Sequence, residues 1–102
     1  MNQNVFIIHL RFKGKYGARA AGERIMEHCE WNGMIVRFHK NHSWLVFNRH
    51  EVIAAGKISK EAAIEIEKWC VNCLKEWGCQ AIKHEIIDMY GIDDMVSRRL
   101  IF

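Results

Sequence analysis

Apolar and polar positions alternate along Val5 to Phe12, VFIIHLRF, with Phe6, Ile8, Leu10 and Phe12 on one side and Val5, Ile7, His9 and Arg11 on the other. A period of two marks a strand, here with one wholly apolar face and one mixed face. Gly14 and Gly17 then punctuate the chain, and the period changes. Ala18, Ala21, Gly22, Ile25 and Cys29 form a stripe at helical spacing that runs through Trp31, with Arg19, Glu23, Glu27 and Glu30 opposite. Small residues in that stripe let a helix backbone sit close to a sheet.

Asn32-Gly33 is a turn signal. Met34 to His39 and Ser43 to Phe47 read as two strands of a hairpin, joined by the polar link Lys40-Asn41-His42. Asn48 to Lys57 is ambiguous, since Val52 to Ala55 suits either a short strand or a turn of helix. Ser59 has the chemistry of an N-cap for a helix from Lys60 to Trp77, and Gly78 ends it. Cys79 to Met89 reads as a last strand, followed after Gly91 by a tail, IDDMVSRRLIF.

The resulting order is strand, helix, strand, strand, helix, strand. It predicts an α+β fold of the ferredoxin-like βαββαβ kind: a four-stranded antiparallel sheet, two helices on one face, the other face open, and a short C-terminal tail from about residue 91 to 102. With 102 residues and no proline or low-complexity linker, residues 1–102 are expected to be one domain, because a second useful core needs roughly 50 residues more.

Composition changes this picture in two respects. The N-terminal apolar run is short and alternating, with no basic segment before it, so the sequence predicts a cytoplasmic protein with reduced thiols, no leader and no membrane partner. The formal net charge of +3 is small, but it is unevenly spread: residues 1–50 hold eight Lys/Arg against three Asp/Glu and five of the six histidines, while residues 51–102 hold seven against nine. Such asymmetry predicts a basic face.

Three of the four cysteines fall in WCVNCLKEWGC, residues 69–79. The Trp-Cys-x-x-Cys of Trp69 to Cys73 resembles the thioredoxin motif. In that family, however, the first cysteine opens a helix, where free N–H groups lower its pKa; here the pair lies three turns into one. Cys70, Cys73, Cys79 and His84 have the donor chemistry of a zinc site. Yet Cys70 and Cys73 also fit the apolar stripe of Ala62, Ala63, Ile66, Trp69, Leu74 and Trp77. Buried, inert thiols with no metal and no cofactor are therefore the expected state.

If Phe6, Ile8, Leu10 and Phe12 face the helices, His9 and Arg11 face the open side, and Arg37 and His39 join them when Met34, Val36 and Phe38 point inward. Trp44 shares that face when Leu45 and Phe47 are core. Cations around an aromatic platform suit RNA or single-stranded nucleic acid, through phosphate attraction and base stacking. Lys40 extends this basic set. Lys13, Lys15 and Arg19 offer a further anion site, because Lys13-Gly14-Lys15-Tyr16-Gly17 opens a helix. RRM proteins bind RNA on the same sheet face, but their aromatic strand motif is missing. Gly56-Lys57-Ile58-Ser59-Lys60-Glu61-Ala62 faintly resembles the approach to the last helix of double-stranded-RNA-binding domains, with Lys60 matching their phosphate-gripping cluster and Glu61, Glu65 and Glu67 departing from it.

The reading favoured by the sequence is thus a small, non-enzymatic module that binds RNA or single strands. The alternative is a protein-binding inhibitor, adaptor or homodimerisation module that uses the same face and the apolar tail of Arg98, Arg99, Leu100, Ile101 and Phe102. A third is a metal-independent ribonuclease with His9 and His42 as acid and base.

Overall fold

In the computed structural model, residues 4–40 and 49–89 are described, Lys40 by its backbone alone. The described elements are β1 (Asn4–Lys13), α1 (Ala18–Trp31), β2 (Ile35–Lys40), β3 (Arg49–Ile58), α2 (Lys60–Glu76) and β4 (Gln80–Asp88). The four strands are antiparallel in the order β2-β3-β1-β4, so the two longest lie at the centre of a ferredoxin-like α+β sheet. No described helix is long and apolar enough to cross a membrane.

The alternation in β1 decides the layering. Phe6, Ile8, Leu10 and Phe12 enter the main core beneath the helices, where they meet Ala18, Ala21, Ile25 and Cys29 of α1 and Ala63, Ile66, Cys70 and Leu74 of α2. The α1 stripe is buried as its spacing predicts, and in α2 the flanking Trp69 and Trp77 remain 39% and 41% exposed. Both helices stop in the same way. Gly33 and Gly78 take φ of +80° and +70°, and the next residue's N–H reaches back to the last turn: Met34 N donates to Cys29 O at 3.0 Å and Cys79 N to Leu74 O at 2.8 Å.

Ser59 caps α2, its hydroxyl accepting the Ala62 N–H at 3.1 Å. Ser59→Ala should lower the unfolding free energy by about 1 kcal/mol, read as a shifted urea midpoint at unchanged m. Asparagine at the same position, which retains a capping acceptor, should restore most of the loss.

One assignment needs correction. The third strand is Arg49–Ile58, in the ambiguous stretch, whereas Ser43 to Phe47 lies outside the described residues. β3 is central because its inward residues are small: Val52 and Ala54 are fully buried against the helices, and the strand pairs on both sides, with β1 from Asn4↔Ile58 to Lys13↔Arg49 and with β2 from Ile35↔Ala55 to Lys40↔His50. β4 carries an irregularity: Arg11 pairs with Lys83 but Phe12 with Ala81, which leaves Ile82 as an extra residue at the edge.

Candidate functional site

The face of the sheet turned away from the helices is ordered by strand register into rows. Reading across β2, β3, β1 and β4, one row is Ile35, Ala55, Ile7 and Ile87; the next is Arg37, Ile53, His9 and Glu85; the next is His39, Glu51, Arg11 and Lys83. Beyond the first row, Val5 pairs with Lys57, and Met89 N donates to Val5 O at 2.9 Å. One end of the face is therefore apolar and the other ionic. Ile7, Ala55 and Met89 are buried at the apolar end, Val5, Ile53 and Ile87 pack around them, and Ile35 is 59% exposed.

His9 ties the ionic end together. Its Nε2 lies 2.6 Å from Glu51 Oε2 and its Nδ1 3.3 Å from Glu85 Oε1, so the ring spans β3, β1 and β4. Arg11 Nε stands 3.4 Å from the same Glu51 oxygen, and Lys83 Nζ 3.3 Å from Glu85 Oε1. The His9 hydrogen bond, more than the nearby Lys83, holds the Glu85 carboxyl below its ordinary value. An imidazole donates from both nitrogens only when protonated, and with both facing carboxylates it has no open nitrogen for a substrate proton. In this arrangement His9 links β3, β1 and β4.

The sequence-predicted anion-binding residues divide into three groups. His9, Arg11, Arg37 and His39 do share the open face, as the parity argument requires. That face is less basic than expected, because Glu51 and Glu85 stand among its cations, and its described part carries no Phe, Tyr or Trp. Lys13 also turns to the open face, in a further row with Arg49 of β3, whereas Lys15 and Arg19 belong to another region: Lys15 Nζ lies 5.5 Å above the Tyr16 ring, and Arg19 Nε faces Glu23 at 3.4 Å, one turn along α1. Trp44, His42 and the tail residues Arg98, Arg99, Leu100, Ile101 and Phe102 lie outside the described residues, as does the side chain of Lys40. Glu51, Glu85 and Lys83 escaped the sequence reading. Assigning Arg49 to Ile58 as a strand with Val52 and Ala54 inward would have put Glu51 on the open side.

The cysteine stretch is core. Cys70 is fully buried against Cys29 of α1, and their hydrogen bond, together with burial, pushes the Cys70 thiol far above its usual range. Burial also raises Cys73 and Cys79. His84 sits at the sheet edge with Nδ1 3.7 Å from Glu67 Oε2. Among the described residues, no group of three or more His, Cys, Asp or Glu side chains is disposed to hold a metal ion, so Cys70, Cys73, Cys79 and His84 are not gathered into one site.

On the helical side, the His28 ring stacks on Trp69, with centroids 3.8 Å apart and planes 7° from parallel, and burial lowers its pKa from 6.5. A histidine whose folded pKa is depressed favours the folded state above 6.5, and that contribution disappears as pH falls through the folded value. Glu85 adds the same sign lower down, its contribution being lost below 4.5. Urea midpoints should therefore fall from pH 7 to pH 5 more steeply in the wild type than in His28→Phe, which retains a stacking ring without a titrating one. Parallel slopes in the two proteins would remove His28 from the account.

No protein-family model matches the sequence, and no curated protein matches it. Among solved structures, the chain is similar to the Bacillus subtilis YXEP protein, a dinuclear metal-binding peptidase of the M20 family, at a TM-score of 0.57 and 20% identity over 84% of this chain and 26% of that one. The chain thus spans about a quarter of that peptidase's length, and at such identity the likeness is one of fold alone.

Proposed function

We propose that this chain is a protein-docking module whose contact surface is the open face of the sheet. The observation that carries the reading is a band of apolar residues left partly or wholly exposed, Ile35, Ile53 and Ile87, lying on β2, β3 and β4 around the buried Ile7 and Ala55, on a face that neither helix covers. Beside it, cations and carboxylates alternate and answer one another, as at the polar rim of a protein interface. A nucleic-acid groove calls for cations left to the phosphates and for stacking aromatics. Here Arg11, His9 and Lys83 are engaged by carboxylates in their own sheet.

The nucleic-acid reading remains the competitor, through the exposed Arg11, Arg37 and His39. Light scattering and the ratio of absorbance at 260 and 280 nm, measured on the purified chain in low and high salt, separate the two. A docking module gives a protein-like ratio and complexes that persist in high salt. Co-purifying nucleic acid that salt strips away would overturn the proposal, since phosphate contacts weaken steeply with ionic strength.

A further inference from the structure

We infer that the open face docks an acidic protein segment, whose aliphatic side chains cover Ile35, Ile53 and Ile87 and whose Asp or Glu side chains lie on Lys13 and Arg49 at the far end of the sheet. The inference rests on the docking reading above and adds to it the chemistry of the partner. It starts from the one row in which the charges of this face do not answer one another. Lys13 of β1 and Arg49 of β3 are direct partners in the register, in the row beyond Arg11 and Glu51. Their Cβ atoms therefore stand about 5 Å apart on the same face. Both side chains are exposed, and neither forms an ion pair among the described residues. The neighbour of Lys13 on β4 is Gln80, which is uncharged, and the link that leads into Arg49, residues 41–48, contains no Asp or Glu.

Like charges directly opposite one another destabilise a sheet, and a carboxylate at either position would turn that repulsion into attraction. The nearest carboxylates do not relieve it: Glu51 is engaged by His9 and Arg11, and Glu85 by His9 and Lys83. A local rule broken without compensation inside the chain points to compensation from outside it. The anion that supplies it meets two cations already held side by side by the backbone pairing of β1 and β3.

The apolar band selects the class of anion. Ile53 and Arg49 lie on the same strand, about 13 Å apart, so one short segment running along the strands reaches both. Nucleic acid offers phosphates to Lys13 and Arg49 but nothing aliphatic to cover Ile35, Ile53 and Ile87. An extended polypeptide with an aliphatic residue and, about four positions away, an acidic one satisfies both ends of the face.

The test is a random peptide library displayed on phage and panned against the chain. Retained peptides should be enriched in Asp or Glu about four positions from an aliphatic residue, and the double variant Lys13→Glu/Arg49→Glu should instead enrich Lys or Arg there. Stability gives an independent reading. Lys13→Glu and Arg49→Glu, made singly, each set opposite charges across the strands, so each should raise the urea midpoint while weakening the selected peptides at least tenfold in fluorescence anisotropy. A pair that served only to hold the sheet together would lose stability on the same substitutions. Ile53→Thr, which keeps a β-branched side chain in the strand, should weaken the same peptides with no change in their charge preference.

Peptides without an acidic excess, an unaltered preference in the double variant, or single variants with a lower midpoint would overturn the acidic segment and leave the docking reading in place. Binding indifferent to Ile53→Thr, or a library that yields no binder, would overturn the docking reading with it. Co-purified nucleic acid that Lys13→Glu releases would assign the pair to phosphates and overturn both.

Discussion

Phe12→Ala should lose about 3–5 kcal/mol of unfolding free energy, the largest effect expected of any single truncation among the described residues. Among the described residues Phe12 is the largest of the completely buried side chains, and its ring lies 6.4 Å from that of Phe38 and 5.7 Å from that of His50. Removing it takes away the transfer energy of a whole aromatic ring and leaves a void that β2 and β3 fill only by leaving their register. Domains of this size are stable by about 5–15 kcal/mol, so the variant should melt at least roughly 10 °C lower and approach complete unfolding if the native margin is small. Phe12→Leu, which keeps most of the volume, should cost less than half as much. Urea unfolding of the three proteins at a common m-value is the measurement, and a loss below about 1 kcal/mol for the alanine variant would remove the end of β1 from the core.

Gly22→Ala should be the next most harmful change, although alanine is the better helix former by about 1 kcal/mol. A Cβ at position 22 would run into Cζ, Cε1 and Cε2 of Phe38, the ring on which this part of α1 rests. That ring has little room to withdraw, with Phe12 stacked on one side and His50 meeting it edge-on at 5.8 Å. Overpacking should therefore outweigh the gain in propensity, for a net loss of about 1–3 kcal/mol. The diagnostic is a double-mutant cycle with Phe38→Leu. Truncating the ring opens the space that alanine needs, so the loss on going from glycine to alanine should shrink or reverse in the Leu background. An equal loss in both backgrounds would place the cost in the helix itself rather than in its contact with β2.

The parts of this fold that could be read from the sequence are those whose local chemistry and tertiary role agree. In α1 the residues at positions 18, 21, 22, 25 and 29 are the helical stripe and also the buried face. In α2, Ser59 and Gly78 mark the ends by mechanisms that act within one turn. β3 was hard to read for the opposite reason. Ala54, Ala55 and Gly56 carry little strand propensity, and the strand is central because two neighbours pair with it, which no local window reports. The open face was half legible. β1 shows its own parity, so His9 and Arg11 were placed correctly, but Glu51 and Glu85 reach His9 from strands 42 and 76 residues away. Their presence changes the electrostatics of the face from a cationic field to a set of paired charges.

The four cysteines of this core also make it a clock. A thiol reacts as thiolate and only where reagent can reach it; burial keeps reagent from all four, and it also holds Cys70, Cys73 and Cys79 in the thiol form. Labelling of Cys29 or Cys70 thus requires α1 to part from α2, while Cys79, where the chain leaves α2 for β4, needs only that junction to open. Rates of alkylation at the separate positions would then time the separate openings of one small domain, with no probe added to it. If helix parting and junction opening are one cooperative event, all four thiols keep the same time; if the junction frays first, Cys79 runs fast.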